Sequence, residues 1–295
     1  MPSAHANGFD IEYETFGKAG DRPLLLLRGL GTQMIHWDRR LCDRIATAGH
    51  HLVIFDNRDV GLSTHFHSAG APDLGAVVGA LTAGEEPGVA YRLSDMADDV
   101  VGLMDVLGFE NAHIAGISMG GMIVQQVAID HPERVQSLTS IMSSTSEPGL
   151  PGPTPEAQKA LSSPAPRERG AYIDQNVANQ RSFTGDGFPF DEAARRELAG
   201  RAFDRAFDPE GVMRQMAAII ASGSRREALE GIRLPALVIH GTSDPLVPFA
   251  GGEATARAIP GARFQAIKGM GHDLPEGAWS QWLPTLASHT ASAVR

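Results

Sequence analysis

Apolar positions along this chain fall into two alternating patterns. Short, nearly continuous apolar runs occur at LLLLRG (24–29), HLVIFDN (51–57), NAHIAGI (111–117), VQSLTSIMSS (135–144) and PALVIHG (235–241). Runs of that length without polar alternation are the signature of strands buried on both faces. Between them lie stretches whose apolar residues recur on successive helical turns. These cover residues 33–48, SDMADDVVGLMDVLG (94–108) and the segment MGGMIVQQVAID after residue 118, which stops near His131-Pro132. Ser94 is the expected cap of the second helix and Gly108 its stop. IEYETFG predicts an early strand, 250–259 a helix, ARFQAIKG (262–269) a further strand, and the remainder a final helix. Strand and helix in alternation predict an α/β architecture, a parallel sheet covered by helices on both faces.

The alternation breaks at residues 145–166, where TSEPGLPGPTPEAQKALSSPAP is rich in Pro, Ser and Gly and reads as a loop or boundary. From about 167 to 230 the signals are helical only, and alternation resumes at 235. The expected organisation is therefore a core formed by 1–144 and 231–295, interrupted by a helical insertion at 145–230 between the sixth and seventh strands.

Composition narrows the function classes. At 295 residues, 42% hydrophobic and 20% charged, the chain has the balance of a globular protein with a sizeable core. A formal net charge of −10 argues against nucleic acid or an anionic membrane surface as partner. No apolar run approaches 18 residues, so no membrane span is expected, and MPSAHANGFDIEYETFG lacks the basic-then-apolar pattern of a secretory signal. A cytoplasmic location is the expectation. The one cysteine, Cys42, excludes an internal disulfide and reads as a packing residue in a helical stretch. No His/Asp/Glu group has metal-ligand spacing and no dinucleotide fingerprint follows the first strand, so neither metal nor cofactor is expected.

The chemistry concentrates at GISMG, where Ser118 stands between Gly116 and Gly120 at the junction of a buried strand and a helix. A sharp turn there lifts one hydroxyl out of the sheet edge, and the glycines let strand and helix approach closely. A serine nucleophile needs a base, and the base an orienting carboxylate. Asp244 follows the strand PALVIHG, and His272 follows ARFQAIKG, both at the C-terminal strand edge where Ser118 must sit. Glu147, after the strand ending near Ser144, is the rival acid, while Asp273 is expected to point away from its neighbour's ring. Two backbone donors are needed for an oxyanion, and the amides of Met119 and Leu30 are the candidates. His240 reads as structural. Asp56 and Arg58 read as a buried ion pair bracing their loop. Trp37, Phe183, Phe188, Phe190, Met213, Met216, Ile219 and Leu246 are candidate apolar lining for a small-molecule substrate, with Trp37, Met213, Ile219 and Leu246 favoured.

RGLG, DNRDVGLS, GISMGG, GTSDPLVP and GMGHDLP resemble the successive motifs of the α/β-hydrolases. DNRDVGLST with ISMGGMI and GMGHDLP is similar to a bacterial carboxylesterase group that includes anthracycline methyl esterases and mycobacterial esterase/lipases. The resemblance runs from about residue 9 to 290, weakest over 145–230, and departs at Arg28-Gly29, where His-Gly is common. It implies a mostly parallel eight-stranded sheet and a helical cap. It also implies Ser118, Asp244 and His272 as triad and Leu30 and Met119 as oxyanion donors. Hydrolysis of an ester is the leading expectation, with lactonase, thioesterase or perhydrolase chemistry by the same triad, or a small-ligand receptor without turnover, as alternatives.

Overall fold

The computed structural model describes residues 2–293. Eight strands form one sheet in the order β1-β2-β4-β3-β5-β6-β7-β8. The strands are β1 (Ser3–Ala6), β2 (Phe9–Phe16), β3 (Arg22–Leu27), β4 (His50–Phe55), β5 (Ala112–Ile117), β6 (Val135–Ile141), β7 (Ala236–Gly241) and β8 (Arg263–Ile267). β1 and β2 form an antiparallel hairpin, closed by Asn7 and Gly8 at φ 49° and 86°. Positive φ at both central positions of an Asn-Gly turn matches the right-handed twist of the flanking strands. β2 pairs antiparallel with β4, and every pair from β4 across to β8 is parallel.

Side-chain alternation in the parallel strands separates two cores. Leu25, Leu27, Val53, Phe55, Ile114 and Leu138 face one side. There they pack on α3 (Leu93–Val106), α4 (Met119–Asp130) and the end of α10 (Phe249–Ala258). Leu24, Leu26, Leu52, Ile54, Ala115, Ile117 and Ile239 face the other, against Leu41, Cys42 and Ile45 of α1 (Arg39–Thr47) and Trp279, Trp282 and Leu286 of α11 (Glu276–Ser292). Burial on both faces is why these strands carry unbroken apolar runs. Cys42 lies wholly within the second core, and burial pushes its thiol up to about 12, as suits a packing residue.

Between β6 and β7 the chain runs through α5 (Pro155–Ser162), α6 (Arg169–Phe183), α7 (Glu192–Arg205), α8 (Pro209–Ser222) and the short α9 (Arg226–Leu229). α2 (Leu74–Ala83), which the apolar pattern does not announce, packs on α8 through Val77, Ala217 and Ala221.

Three local expectations are corrected. Residues 33–48 are not one helix: Met34–His36 form a single 3₁₀ turn, Trp37 is extended, and the Asp38 carboxylate caps α1 by accepting from the Arg40 amide. α3 starts at Leu93 rather than after Ser94, because the Leu93 amide is taken by Ser222 Oγ and the Asp95 carboxylate folds back onto the Arg92 amide. The Pro-rich stretch contains α5, for Thr154 caps it through the Ala157 amide and Pro155 occupies the first helical position, where its missing N–H costs nothing.

Candidate active site

Ser118 sits where β5 ends and α4 begins, with φ 55° and ψ −122°. A non-glycine residue in that region is strained by about 1–3 kcal/mol and persists only where its surroundings over-determine it. They do so here. The Ser118 amide donates to Ile141 O of the neighbouring strand, and its carbonyl accepts from Ser143 Oγ at 2.8 Å. A Cβ on Gly116 would lie 2.1 Å from Gly120 O, and one on Gly120 would lie 2.4 Å from Leu27 O. Only glycine lets α4 start this close to β5 and β3.

The loop after β3 closes over the serine. A Cβ on Gly29 would stand 3.0 Å from Ser118 Cβ and 3.5 Å from its Oγ, which fixes how near that backbone approaches. The next amide, Leu30, and the Met119 amide at the start of α4 have no hydrogen-bond acceptor among the described residues. The Gly31 amide, by contrast, is taken by Gln215 Oε1 of α8. Both amides belong to the backbone that adjoins Ser118.

Asp244 and His272 meet at the same sheet edge. Asp244 Oδ2 accepts from His272 Nδ1 at 2.8 Å, while Oδ1 accepts the Leu246 and Val247 amides, each at 2.9 Å. Burial alone would raise this carboxyl, but the His272 charge and hydrogen bonds from His240 and His272 outweigh it and hold it down to about 2. It is a carboxylate throughout the neutral range. His240 is fully buried, bonds Val247 O through Nε2 and lies 3.5 Å from Asp244 Oδ2, so it braces the acid's loop. Glu147, the rival acid, instead accepts from Thr145 Oγ1 and lies 3.8 Å from Arg226 Nε. Asp273 faces Arg195 at 3.5 Å.

The helical insertion holds this edge in place. The His272 amide donates to Phe183 O at 2.7 Å, the Gly187 amide to Gly269 O, and Ser243 Oγ to Asp186 Oδ1. Gln33 binds Ala202 O and Ala206 O through Nε2 and receives Arg205 Nη1 on Oε1. None of these contacts carries a sequence signal, because the partners lie many residues apart and are ordinary polar residues.

Asp56 and Arg58 do not pair with each other. Asp56 is wholly buried against Arg205 at 2.7 Å and accepts the Met34 and Leu62 amides. Arg58 grips Asp99 of α3 with two bonds of 2.6 Å. Successive charges in the loop after β4 reach opposite ways, one to the insertion and one to the sheet's helical cover. Trp37 is also displaced from its expected role: its ring is buried in the second core beneath the Arg28 guanidinium, 4.8 Å from the ring centroid, and offers a ligand no surface. Met213 is exposed, Ile219 packs partly buried against the first core, and Leu246 is half-buried beside Asp244. Phe188 packs against the second core, and Phe190 joins Ile173 and Val177 within the insertion.

A cavity of about 60 Å³ lies between the loops after β3 and β4 and the insertion, lined among others by Gly31, His36, Val60, Tyr172 and Val212. The larger surface hollow, about 280 Å³, is formed by Ala128, Pro132, Gly231 and Leu234 at the opposite, N-terminal edge of the parallel strands, away from Ser118.

A model of the alpha/beta hydrolase fold matches residues 22–277. The chain belongs to the α/β-hydrolase fold family. Its relatives include rhodomycin D methylesterase DauP of Streptomyces sp. (strain C5), 30% identical over 95% of this chain and 94% of that protein. Rhodomycin D methylesterase DnrP of Streptomyces peucetius is 29% identical with the same coverage. Among solved structures of the same fold, the esterase EaEST from Exiguobacterium antarcticum superposes with a TM-score of 0.75 at 20% identity, covering 98% of both chains. The motifs of this chain thus resemble the anthracycline methyl esterases over nearly the whole length. Among the described residues no helix is long and apolar enough to cross a membrane.

Proposed function

We propose that this protein is a serine-dependent carboxylic ester hydrolase acting on a small to medium apolar ester through an acyl-serine intermediate. The observation that carries the reading is the ionised, caged Asp244 bonded to His272 Nδ1 at the sheet edge where Ser118 is held at positive φ. The methylesterase relatives support it at the level of reaction class.

In this scheme Ser118 Oγ attacks the acyl carbon while His272 Nε2 takes its proton. Asp244 keeps the Nδ1 proton in place and favours the imidazolium as it forms. The Leu30 and Met119 amides receive the charge of the tetrahedral oxygen. Collapse breaks the bond to the alkoxy oxygen, which leaves as the alcohol with the proton from His272. Water then gives a proton to His272 and attacks the acyl-serine. Collapse releases the acid, and Ser118 recovers its proton. Residues 145–230 act as a helical cap that selects substrate, with Met213, Ile219 and Leu246 as candidate contacts.

Steady-state hydrolysis of p-nitrophenyl esters from acetate to palmitate, beside a Ser118→Ala variant, tests the scheme. Turnover that falls by about 10⁴ to 10⁶ in the variant is the expected result. Retained turnover in a folded Ser118→Ala protein rejects it.

A further inference from the structure

Away from Ser118, the loop after β4 and the start of α8 bring together His65, His67 and Asp208, with one ligand atom from each within 4.8 Å of the others. His65 and Asp208 are 143 positions apart, so only the fold assembles this group. His65 Nε2 lies 3.0 Å from Gly61 O, an acceptor, and must therefore carry a proton that it donates there. Its other ring nitrogen, Nδ1, faces Asp208 Oδ2 at 2.7 Å. His67 Nδ1 converges on the same oxygen at 3.6 Å, and its ring stacks on that of His65 with centroids 5.3 Å apart. Two imidazoles and a carboxylate thus converge on one small region. A single divalent cation placed there would take one ligand atom from each of the three.

We propose that His65 Nδ1, His67 Nδ1 and Asp208 Oδ2 form a binding site for a zinc-class divalent transition-metal ion. Metal–ligand bonds of about 2.0–2.2 Å in tetrahedral geometry set the ligand atoms about 3.3 Å apart, a spacing that three atoms already within 4.8 Å of one another reach by small side-chain rotations. The surroundings match what such sites use. A ligating histidine generally donates its other ring N–H to a carbonyl, as Nε2 does to Gly61, and a ligating carboxylate is itself hydrogen-bonded. Asp208 Oδ1 accepts the Gly211 amide at 3.0 Å, and Oδ2 accepts Arg214 Nη2 at 3.2 Å. Arg214 is in turn neutralised by two bonds to Asp59. His65 and Asp208 also line the 60 Å³ cavity, leaving room for water as a fourth ligand. Binding ties the loop after β4 to the N-terminus of α8. The site is structural in kind and does not depend on the proposed hydrolase activity.

The test titrates Zn²⁺ into chelator-treated full-length protein against a metal-binding dye, with Co²⁺ absorption and thermal unfolding read in parallel. Expected are one equivalent bound, a tetrahedral Co²⁺ spectrum and a higher unfolding temperature with Zn²⁺. In His67→Ala, which removes an exposed side chain, affinity should fall at least about tenfold and the thermal shift should vanish. Asp208→Asn, which keeps the helix cap, should behave likewise. Absence of stoichiometric binding, or binding unchanged in His67→Ala, overturns the site.

Discussion

Replacing Asp244 by Asn probes the site through a single atom. The amide oxygen can keep the Leu246 and Val247 amides that Oδ1 now accepts at 2.9 Å, so the loop retains its cage. The NH₂ group then occupies the place of Oδ2, 2.8 Å from His272 Nδ1. Two donors cannot face each other, so the imidazole must present a lone pair at Nδ1 and carry its proton on Nε2. That tautomer cannot accept the Ser118 proton. The expected loss in kcat is about 10⁴-fold, or about 5.4 kcal/mol of barrier, the effect of the same exchange in other serine triads. Substrate affinity should change little, and the thermal midpoint should shift by only a few degrees, because volume and both amide bonds are conserved. Glu147→Gln serves as the internal control, since Glu147 is engaged with Thr145 and Arg226 rather than with His272. Steady-state kinetics on a p-nitrophenyl ester, with circular dichroism melts, reads both quantities. A folded Asp244→Asn enzyme within tenfold of the parent kcat, or a Glu147→Gln enzyme that loses as much, would refute the reasoning.

Three further outcomes follow from the geometry. Gly120→Ala places a Cβ 2.4 Å from Leu27 O and must push α4 off β3, costing about 1–3 kcal/mol or more in urea unfolding; an unchanged midpoint would contradict the packing. Arg58→Ala leaves the buried Asp99 carboxylate with only Asn7 as side-chain partner, a loss of about 3–5 kcal/mol that Asp99→Leu in the same chain should partly restore. Burial, then the charges of His50, Arg22 and His289, lowers His113 from 6.5 to about 4, and burial likewise lowers His50 and His289. Between pH 6.5 and 4 the unfolded chain therefore binds protons that the folded chain refuses. The melting temperature should be level above 6.5 and fall as pH drops through that window, and a profile flat from 7 to 4 would contradict neutral burial of these rings.

The order of strands β2 to β8 was written in the chain itself, whereas β1, α2 and α5 were not. Residues 24–27 are four leucines because β3 is covered on both faces, and that burial requirement produces an apolar run that local reading recognises. Ser118 was equally legible, since a strand that turns abruptly into a helix needs glycines at 116 and 120 whatever lies around it. Asp244 and His272 follow their strands at a fixed edge, so parallel topology brings them together once the strands are assigned. Other features depended on partners distant in sequence. Asp56 and Arg58 are neighbours in a charged loop, yet one reaches α7 and the other α3, because packing decided which buried carboxylate or guanidinium stood within reach. Trp37 reads as a large apolar ring near the candidate oxyanion loop, and only the layer formed by α1 and α11 turned it into core. Ser94 lost its capping role to α8, which supplies Ser222 from the far side of the insertion. The convergence of His65, His67 and Asp208 has the same origin. Periodicity and turn chemistry act over a few residues and are read from the sequence, whereas pairing of polar groups across the fold is settled by which surfaces the apolar core presses together.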